Sequence, residues 1–404
     1  MRILAYCDED LHVAAGGARQ VLELSKALAL LGHEVTVVAP DPAAGGREPS
    51  ELDLLTVIPV PVIRRGALRP LSFLFRSVPV LKRLLDERRP DVFLWFDSPG
   101  QMAPLWALRG ATCPVVYFVN GLPHEEVQGL WRRPPIRQLL SYGLGRAAEK
   151  ARAVVSVCPE VLSSLRRLHP VALECCAVIR NGVDAERFFP QSHEKARTEL
   201  GLIGQGPYIG FMGGFFPWHG LDQLIEALPG VVEAYPEVQV LLVGDGQTKP
   251  SLEQLVVHKQ LAAHVRFIGR VESEVVPTWI AASDVCVVLH KPLRSYPGDS
   301  MKLWEYLACG RPVVTTVGPG YGDVVETIGC GLAAKPDDSR DLARQLARLL
   351  RDSDERTTMG QRGRASVLKS HTWLARAREL DALCRSVNQH ASETLAHDSV
   401  RQVA

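Results

Sequence analysis

Short runs of aliphatic and β-branched residues alternate with helix-length amphipathic segments along nearly the whole chain, and this alternation limits the possible folds more than any other feature. The opening stretch shows the pattern: a strand-like run at 3–6, a helical run at 18–31 and a second strand-like run at 34–39. Similar runs stand at 54–58, 91–96, 114–119, 153–157 and 175–179, with helix-length segments between them. Because βαβ crossovers cover a sheet on both faces, such a series predicts a parallel, doubly wound sheet. After Arg180-Asn181-Gly182-Val183-Asp184 a polar connector runs to about 205–206, and the alternation restarts at 208–212. Strands are then expected near 238–243, 265–268, 285–289 and 312–315, with helices opening near Gly220, Pro250, Ser273, Ser300 and Asp337. The fold class is therefore α/β, two Rossmann-like doubly wound domains over 1–190 and 205–370 that face one another. An amphipathic helix over 371–390 is expected to pack back on the first domain, and the polar tail 391–404 to be disordered.

Composition narrows the function. The 404 residues carry 46 basic and 45 acidic side chains, so no global charge favours nucleic acid as a partner. Nine cysteines without a C-x-x-C pair read as reduced thiols of a cytoplasmic protein. Met1-Arg2-Ile3-Leu4-Ala5-Tyr6 meets Asp8, Glu9 and Asp10 at once, too short an apolar run for an export signal. No run of 18 uncharged apolar residues exists, so the chain is expected to lie on a membrane at most, not to span one.

In open α/β sheets ligands bind beyond the carboxyl ends of the strands, so chemistry is sought in strand-to-helix loops. Gly16 and Gly17 follow the first strand, where either a phosphate approaches the N–H groups of a helix start or a tight turn packs helix on strand. Gly213 to Gly220 closes another strand and opens a helix, with His219 placed either to donate to a phosphate oxygen or to stand on the surface. Gly244-Asp245-Gly246 is a strand-end turn that would admit a flat ligand or serve only as a turn. In Gly298-Asp299-Ser300-Met301-Lys302, Ser300 is expected to cap a helix whose first turn, with Lys302, forms an anion site. Glu305 falls three residues beyond Lys302, on the same face, where a carboxylate can accept hydrogen bonds from a ribose. A capped surface helix with a Lys–Glu pair is the plainer alternative.

Taken in order, these loops resemble one family, the retaining glycosyltransferases of family four, which have the two-domain GT-B architecture. The resemblance runs over nearly the whole chain. Arg2-Ile3-Leu4, Gly16-Gly17-Ala18 and Gly32-His33-Glu34-Val35-Thr36-Val37 look like the family's first strand, glycine loop and second strand. Asn181-Gly182-Val183-Asp184 with Phe188 and Pro190 is similar to its interdomain signature. Ser300-x-Lys302-x-x-Glu305-Tyr306-x-Ala308-x-Gly310-x-Pro312 resembles its most specific motif, and Trp373 opens a segment like its C-terminal crossover. The resemblance implies that Glu305 holds the donor ribose and that backbone N–H groups around Ser300, Met301 and Lys302 hold the donor phosphates. Gly16 and Gly17 would face the diphosphate, and Asp245-Gly246 would border the nucleotide. Two departures stand out. Many members carry a glutamate eight positions before the one matching Glu305, where this chain has Pro297. Many also carry an arginine and a lysine in the loop matching Gly213 to Gly220, where this chain has Gly214 or Phe215, and His219. Phosphate neutralisation would then fall on Lys302, helped by His219 or Arg294.

Such enzymes are usually ascribed front-face substitution, in which the leaving diphosphate assists the acceptor and catalysis is mainly charge stabilisation and orientation. His124, in the loop after an N-domain strand, is the candidate for the acceptor side, with Glu125 and Glu126 as alternatives for orienting the acceptor hydroxyl; His124 can equally be a plain loop residue. No metal or other cofactor is expected, since helix dipoles can take the diphosphate charge. Residues 64–89 carry eight basic against two acidic side chains, interleaved with Leu68, Leu71, Phe73, Leu74 and Phe75, and Arg132 to Arg152 add a second basic stretch. That pattern suits an anionic bilayer surface, or is simply a solvated helix face. The expected partners are thus a nucleotide-sugar donor, a glycan or lipid-linked acceptor and peripherally the inner face of the cell membrane. A non-catalytic nucleotide-sugar-binding subunit and a nucleotide-sugar epimerase are the competing readings.

Overall fold

The computed structural model describes residues 1–11, 16–41, 54–63, 68–97, 102–122, 133–169, 176–202, 206–291 and 298–403, with side chains up to 389. These form two units, Met1–Arg180 with Trp373–Ala404, and Asn181–Thr372. In the first unit, strands β1 (Arg2–Tyr6), β2 (Glu34–Pro40), β3 (Thr56–Val60), β4 (Val92–Phe96), β5 (Val115–Val119), β6 (Ala153–Ser156) and β7 (Cys176–Val178) build one parallel sheet in the order β3-β2-β1-β4-β5-β6-β7. Every residue of β4, β5 and β6 is buried, as a parallel sheet covered on both faces requires. The strand order reverses between β1 and β4, where Tyr6 lies opposite Trp95.

The second unit repeats the plan. Strands β8 (Tyr208–Met212), β9 (Gln239–Val243), β10 (Val265–Gly269), β11 (Val285–Val288), β12 (Val313–Thr316) and β13 (Gly331–Ala334) form a parallel sheet in the order β10-β9-β8-β11-β12-β13, with its reversal between β8 and β11. One core cluster joins the Leu221–Ala234 helix to the Ser339–Arg351 helix, whose Leu342, Leu346 and Leu349 recur at helical spacing. Asp338 starts the latter helix by accepting a hydrogen bond from the Asp341 N–H. A second cluster holds Trp279, Ile280, Trp304, Tyr306 and Leu307. Each such fully buried side chain contributes about 1.5–3 kcal/mol.

Three features depart from the sequence reading. First, β13 was not anticipated, because Gly331-Leu332-Ala333-Ala334 has no β-branched residue. A Cβ on Gly331 would stand 2.0 Å from the Val313 carbonyl oxygen, so the strand pairs with β12 only because that side chain is missing. Second, the division falls at Arg180–Asn181, ahead of the polar connector rather than behind residue 190 or at 205. The connector is fastened to the second unit: Phe188 is buried there, Arg364 donates to the Phe188 and Ala185 carbonyls, and Arg311 donates to the Gln191 carbonyl. Third, the last helix spans Trp373–Val403 and so continues past 390 through the segment expected to be disordered. That stretch contains neither glycine nor proline to stop it. Ala377, Leu380, Cys384 and Val387 are buried at helical spacing, the helix packs on Gly16–Leu30, and Asp381 Oδ1 lies 2.9 Å from His33 Nε2.

Candidate functional site

The reversal between β8 and β11 leaves a crevice at the carboxyl ends of these strands, and the sequence motifs of the second half converge there. The end of β8 is clamped. Met212 N–H donates to the Tyr306 phenolic oxygen at 2.8 Å, and the Tyr306 hydroxyl stands 3.3 Å from the Met212 carbonyl to which it donates. Burial pushes the Tyr306 phenol far above its ordinary pKa, so the proton needed for the second bond stays in place. Just beyond the clamp, Gly213 has φ 147° and donates to the Val243 carbonyl at 2.9 Å. Gly244, with φ 132°, lies so close that a Cβ there would stand 2.0 Å from the Gly213 oxygen. Phe215 N–H donates to the Asp245 carbonyl at 2.9 Å, and a Cβ on Gly246 would meet the Phe215 oxygen at 2.5 Å. Gly244 and Gly246 are thus already required by the packing of one loop on the other. The half-buried Asp245 carboxylate accepts from Gly246 N–H at 2.8 Å.

The Met301–Ala308 helix supplies the charge. Leu303, Trp304, Tyr306, Leu307 and Ala308 are buried, which leaves Met301, Lys302 and Glu305 as one partly exposed stripe. The Lys302 stem runs across Gly213, where a Cβ would lie 2.9 Å from Lys302 Cδ. Its ammonium stands 5.5 Å from the centre of the Phe211 ring and 3.4 Å from His219 Nε2. His219 Nδ1 lies 2.6 Å from the Gly214 carbonyl, and since a carbonyl can only accept, Nδ1 carries the proton. Nε2 then turns its lone pair to the ammonium. Both ring nitrogens of His219 are thus engaged, Nδ1 with the Gly214 carbonyl and Nε2 with the Lys302 ammonium.

Ser300 also differs from expectation. It occupies the N-cap position, yet its hydroxyl makes no capping bond, and its buried oxygen has no hydrogen-bond partner among the described residues. The segment is held by its neighbour instead: the Asp299 carboxylate accepts from Asn181 N–H at 2.6 Å and the Trp304 indole N–H at 3.3 Å, while the Asp299 carbonyl accepts from the Asn181 amide at 2.7 Å. The Asn181-Gly182 signature thus ties the connector to the start of the lysine helix. Trp304 in turn stacks on His371, ring centres 3.9 Å apart.

In the first unit the corresponding loop after β1 is acidic. Asp8 is buried and bound by Arg69, whose guanidinium lies 3.4 Å from its carboxylate and 3.0 Å from its carbonyl. Glu9 packs on the helix start, its Oε1 2.7 Å from where a Cβ of Gly17 would be, and burial raises its carboxyl above the ordinary pKa. Gly16 is exposed with open space at its Cβ position. Asn120, after β5, donates to Gln20. His124, Glu125, Glu126, Arg294 and Pro297 lie outside the described residues.

Two parallel sheets of doubly wound type, the second with an ammonium held beside a glycine turn at its reversal, define a two-unit α/β protein. The glycosyl transferases group 1 family matches residues 192–366 and glycosyltransferase family 4 matches residues 14–187. The chain belongs to the group 1 glycosyltransferases, with the GT-B architecture. It is 26% identical over 97% of its length to a phosphatidyl-myo-inositol mannosyltransferase of Mycobacterium leprae, covering 99% of that protein. It is 32% identical to a GDP-mannose-dependent monoacylated alpha-(1-6)-phosphatidylinositol monomannoside mannosyltransferase of Corynebacterium glutamicum, over 48% of this chain and 51% of that protein. Among solved structures, sucrose-phosphate synthase of Thermosynechococcus elongatus superposes with a TM-score of 0.79 at 22% identity, over 96% of this chain and 98% of that one. The Anabaena protein HepE, crystallised with UDP and glucose, gives 0.73 at 19%, over 98% and 99%. At such identities the structural likenesses concern the fold.

Tyr306, Asp299, Asn181 and Phe211 were not singled out by role from sequence. The first three lay inside motifs that carried a signal, but their partners are remote in the chain.

Proposed function

We propose that this glycosyltransferase moves a sugar from a nucleoside-diphosphate sugar to a hydroxyl of a lipid-linked glycan precursor, with retention of the anomeric configuration. The observation that carries the reading is the Lys302 ammonium, held by His219 and Phe211 beside the Gly213 turn at the sheet's reversal. There it would neutralise the donor diphosphate, together with the N–H groups at the start of the Met301–Ala308 helix. Glu305, on the same stripe, would accept from the ribose hydroxyls. Asp245 and Gly246 would border the nucleotide. In the reaction, Lys302 stabilises the charge that grows on the leaving diphosphate, whose oxygen takes the proton of the attacking hydroxyl on the same face of the sugar. The cation and helix start serve the role that a metal would otherwise fill, so turnover is expected to be indifferent to chelators.

The names of the relatives support GDP-mannose as donor and a phosphatidylinositol lipid as acceptor. The first unit offers a surface for such a lipid. Leu68, Leu71 and Phe75 are about half or more exposed (54%, 48% and 63%) along one face of the Leu68–Arg88 helix, next to exposed Arg76. Phe75 meets Trp106, and the neighbouring Pro134–Lys150 helix exposes Leu139, Tyr142 and Arg137. Apolar side chains at helical spacing beside arginines suit peripheral contact with an anionic bilayer. Among the described residues no helix is long and apolar enough to cross a membrane. The test is incubation with GDP-mannose or UDP-glucose and vesicles containing phosphatidylinositol, with and without chelator. The reading expects an α-linked glycolipid and protein that sediments with anionic vesicles. Nucleotide binding without a product would establish a non-catalytic subunit, and sugar isomerisation without acceptor an epimerase.

A further inference from the structure

Beside the lysine lies a feature that the donor reading leaves unused. Phe216 and Trp218 follow the Gly213-Gly214 turn, and their rings are stacked almost parallel, centres 4.8 Å apart at 5°. Phe215 next to them is fully buried, yet Phe216 is 38% exposed. The pair is fixed. A Cβ on Gly214 would come within 2.5 Å of the Phe216 ring, so that ring rests on the Gly214 backbone. His219 stands edge-on to both rings, at 5.7 and 6.0 Å, and the Trp218 carbonyl accepts from Lys291 N–H at 3.0 Å. A partly exposed aromatic pair held rigid in this way has paid its ordering entropy before a ligand arrives, which favours binding.

We propose that Phe216 and Trp218 form a stacking platform for the pyranose ring of the donor, an inference that rests on the donor-site reading above. The same imidazole touches both features: His219 reaches Lys302 through Nε2 at 3.4 Å and presents its ring to the Phe216–Trp218 pair. A ligand group on this platform is therefore next to the group whose charge Lys302 takes. In a nucleoside-diphosphate sugar the pyranose is bonded directly to that diphosphate, whereas the base lies beyond a ribose. One face of a pyranose is lined by C–H bonds, which pack on the negative face of an aromatic ring. The platform also needs glycine at 214, since a side chain there would displace the Phe216 ring.

The experiment compares GDP with GDP-mannose, and UDP with UDP-glucose, by calorimetric titration of the full chain and of Phe216→Leu, Trp218→Leu and Phe216→Tyr. The proposal expects each leucine variant to bind the nucleotide sugar about tenfold more weakly while binding of the bare diphosphate is unchanged, and Phe216→Tyr to restore the loss. Unchanged diphosphate binding shows that the variants are folded. Equal loss for diphosphate and sugar nucleotide would assign the rings to the nucleotide or to loop structure, and no loss for either would leave them no part in binding; both outcomes overturn the platform. Absence of any nucleotide binding by the unaltered chain would overturn the donor-site reading, and the platform with it.

Discussion

The two units present the same topology with opposite charge at the reversal of the sheet. After β1 come Asp8, Glu9 and Asp10, with Arg69 committed to Asp8. After β8 come two glycines, aromatic side chains and His219, with Lys302 leaning across the turn and no acidic residue before Asp222. Backbone topology determines where a ligand can sit, and the side chains set beside it determine which ligand is tolerated. On the proposed reading the anionic diphosphate would be matched by the second loop. The acidic first loop suits a ligand that donates hydrogen bonds, such as the hydroxyls of an acceptor.

The contrast is sharpest at Lys302. Lys302→Met keeps the stem that packs on Gly213 and removes only the charge, so transfer should fall by about 10²–10³-fold with little change in melting temperature. Full activity in this variant would break the comparison. Tyr306→Phe comes next. It takes away the acceptor of Met212 N–H and the donor to the Met212 carbonyl, and leaves a buried amide without a partner. A loss of about 1–3 kcal/mol in denaturant unfolding is expected. Retention of full stability would show that the turn holds its position without the clamp.

A pH test addresses how the second unit is held together. His193 is half-buried against Arg311, and burial with the neighbouring guanidinium holds its pKa down to about 4, against 6.5 for a free imidazole. The unfolded chain accepts a proton that the folded chain refuses. Stability is therefore whole above pH 6.5 and is lost as pH falls toward 4. His193→Gln should abolish the part of the acid destabilisation between pH 7 and 5 that comes from this residue, of order 1 kcal/mol after solvent screening. An unaltered pH profile would contradict the assignment. The smallest effect is expected at Glu9, whose raised carboxyl pKa makes the folded state bind more protons than the unfolded one. Its contribution is favourable at low pH and lost as pH rises through the raised value. Glu9→Gln should then melt slightly above the natural chain at alkaline pH and level with it in acid, as thermal melts on both sides of that range would record.

The sequence announces the fold where local pattern suffices. Strands such as Val92–Phe96 and Val115–Val119 are apolar throughout and buried throughout. It also announces Lys302 and Glu305, because helical spacing alone places them on one stripe. What escaped it depends on distance along the chain. The Tyr306 clamp reaches back 94 residues to Met212, and Asn181 meets Asp299 across 118. His219 was visible as a residue but not in its contacts, since its tautomer follows from the Gly214 carbonyl and its other partner is a lysine 83 residues away. Ser300 misled for the opposite reason: it stands at the right position for a cap, but a hydroxyl can rotate and here makes no capping bond.

The measurement that tests the central claim most directly is calorimetric titration of GDP into the natural chain, Lys302→Met and Glu9→Gln. The account predicts binding weakened at least about tenfold by loss of the Lys302 charge and altered by no more than about twofold at Glu9. Equal affinity for the natural chain and Lys302→Met, or a large gain in affinity confined to Glu9→Gln, would place the diphosphate at the other loop and contradict it.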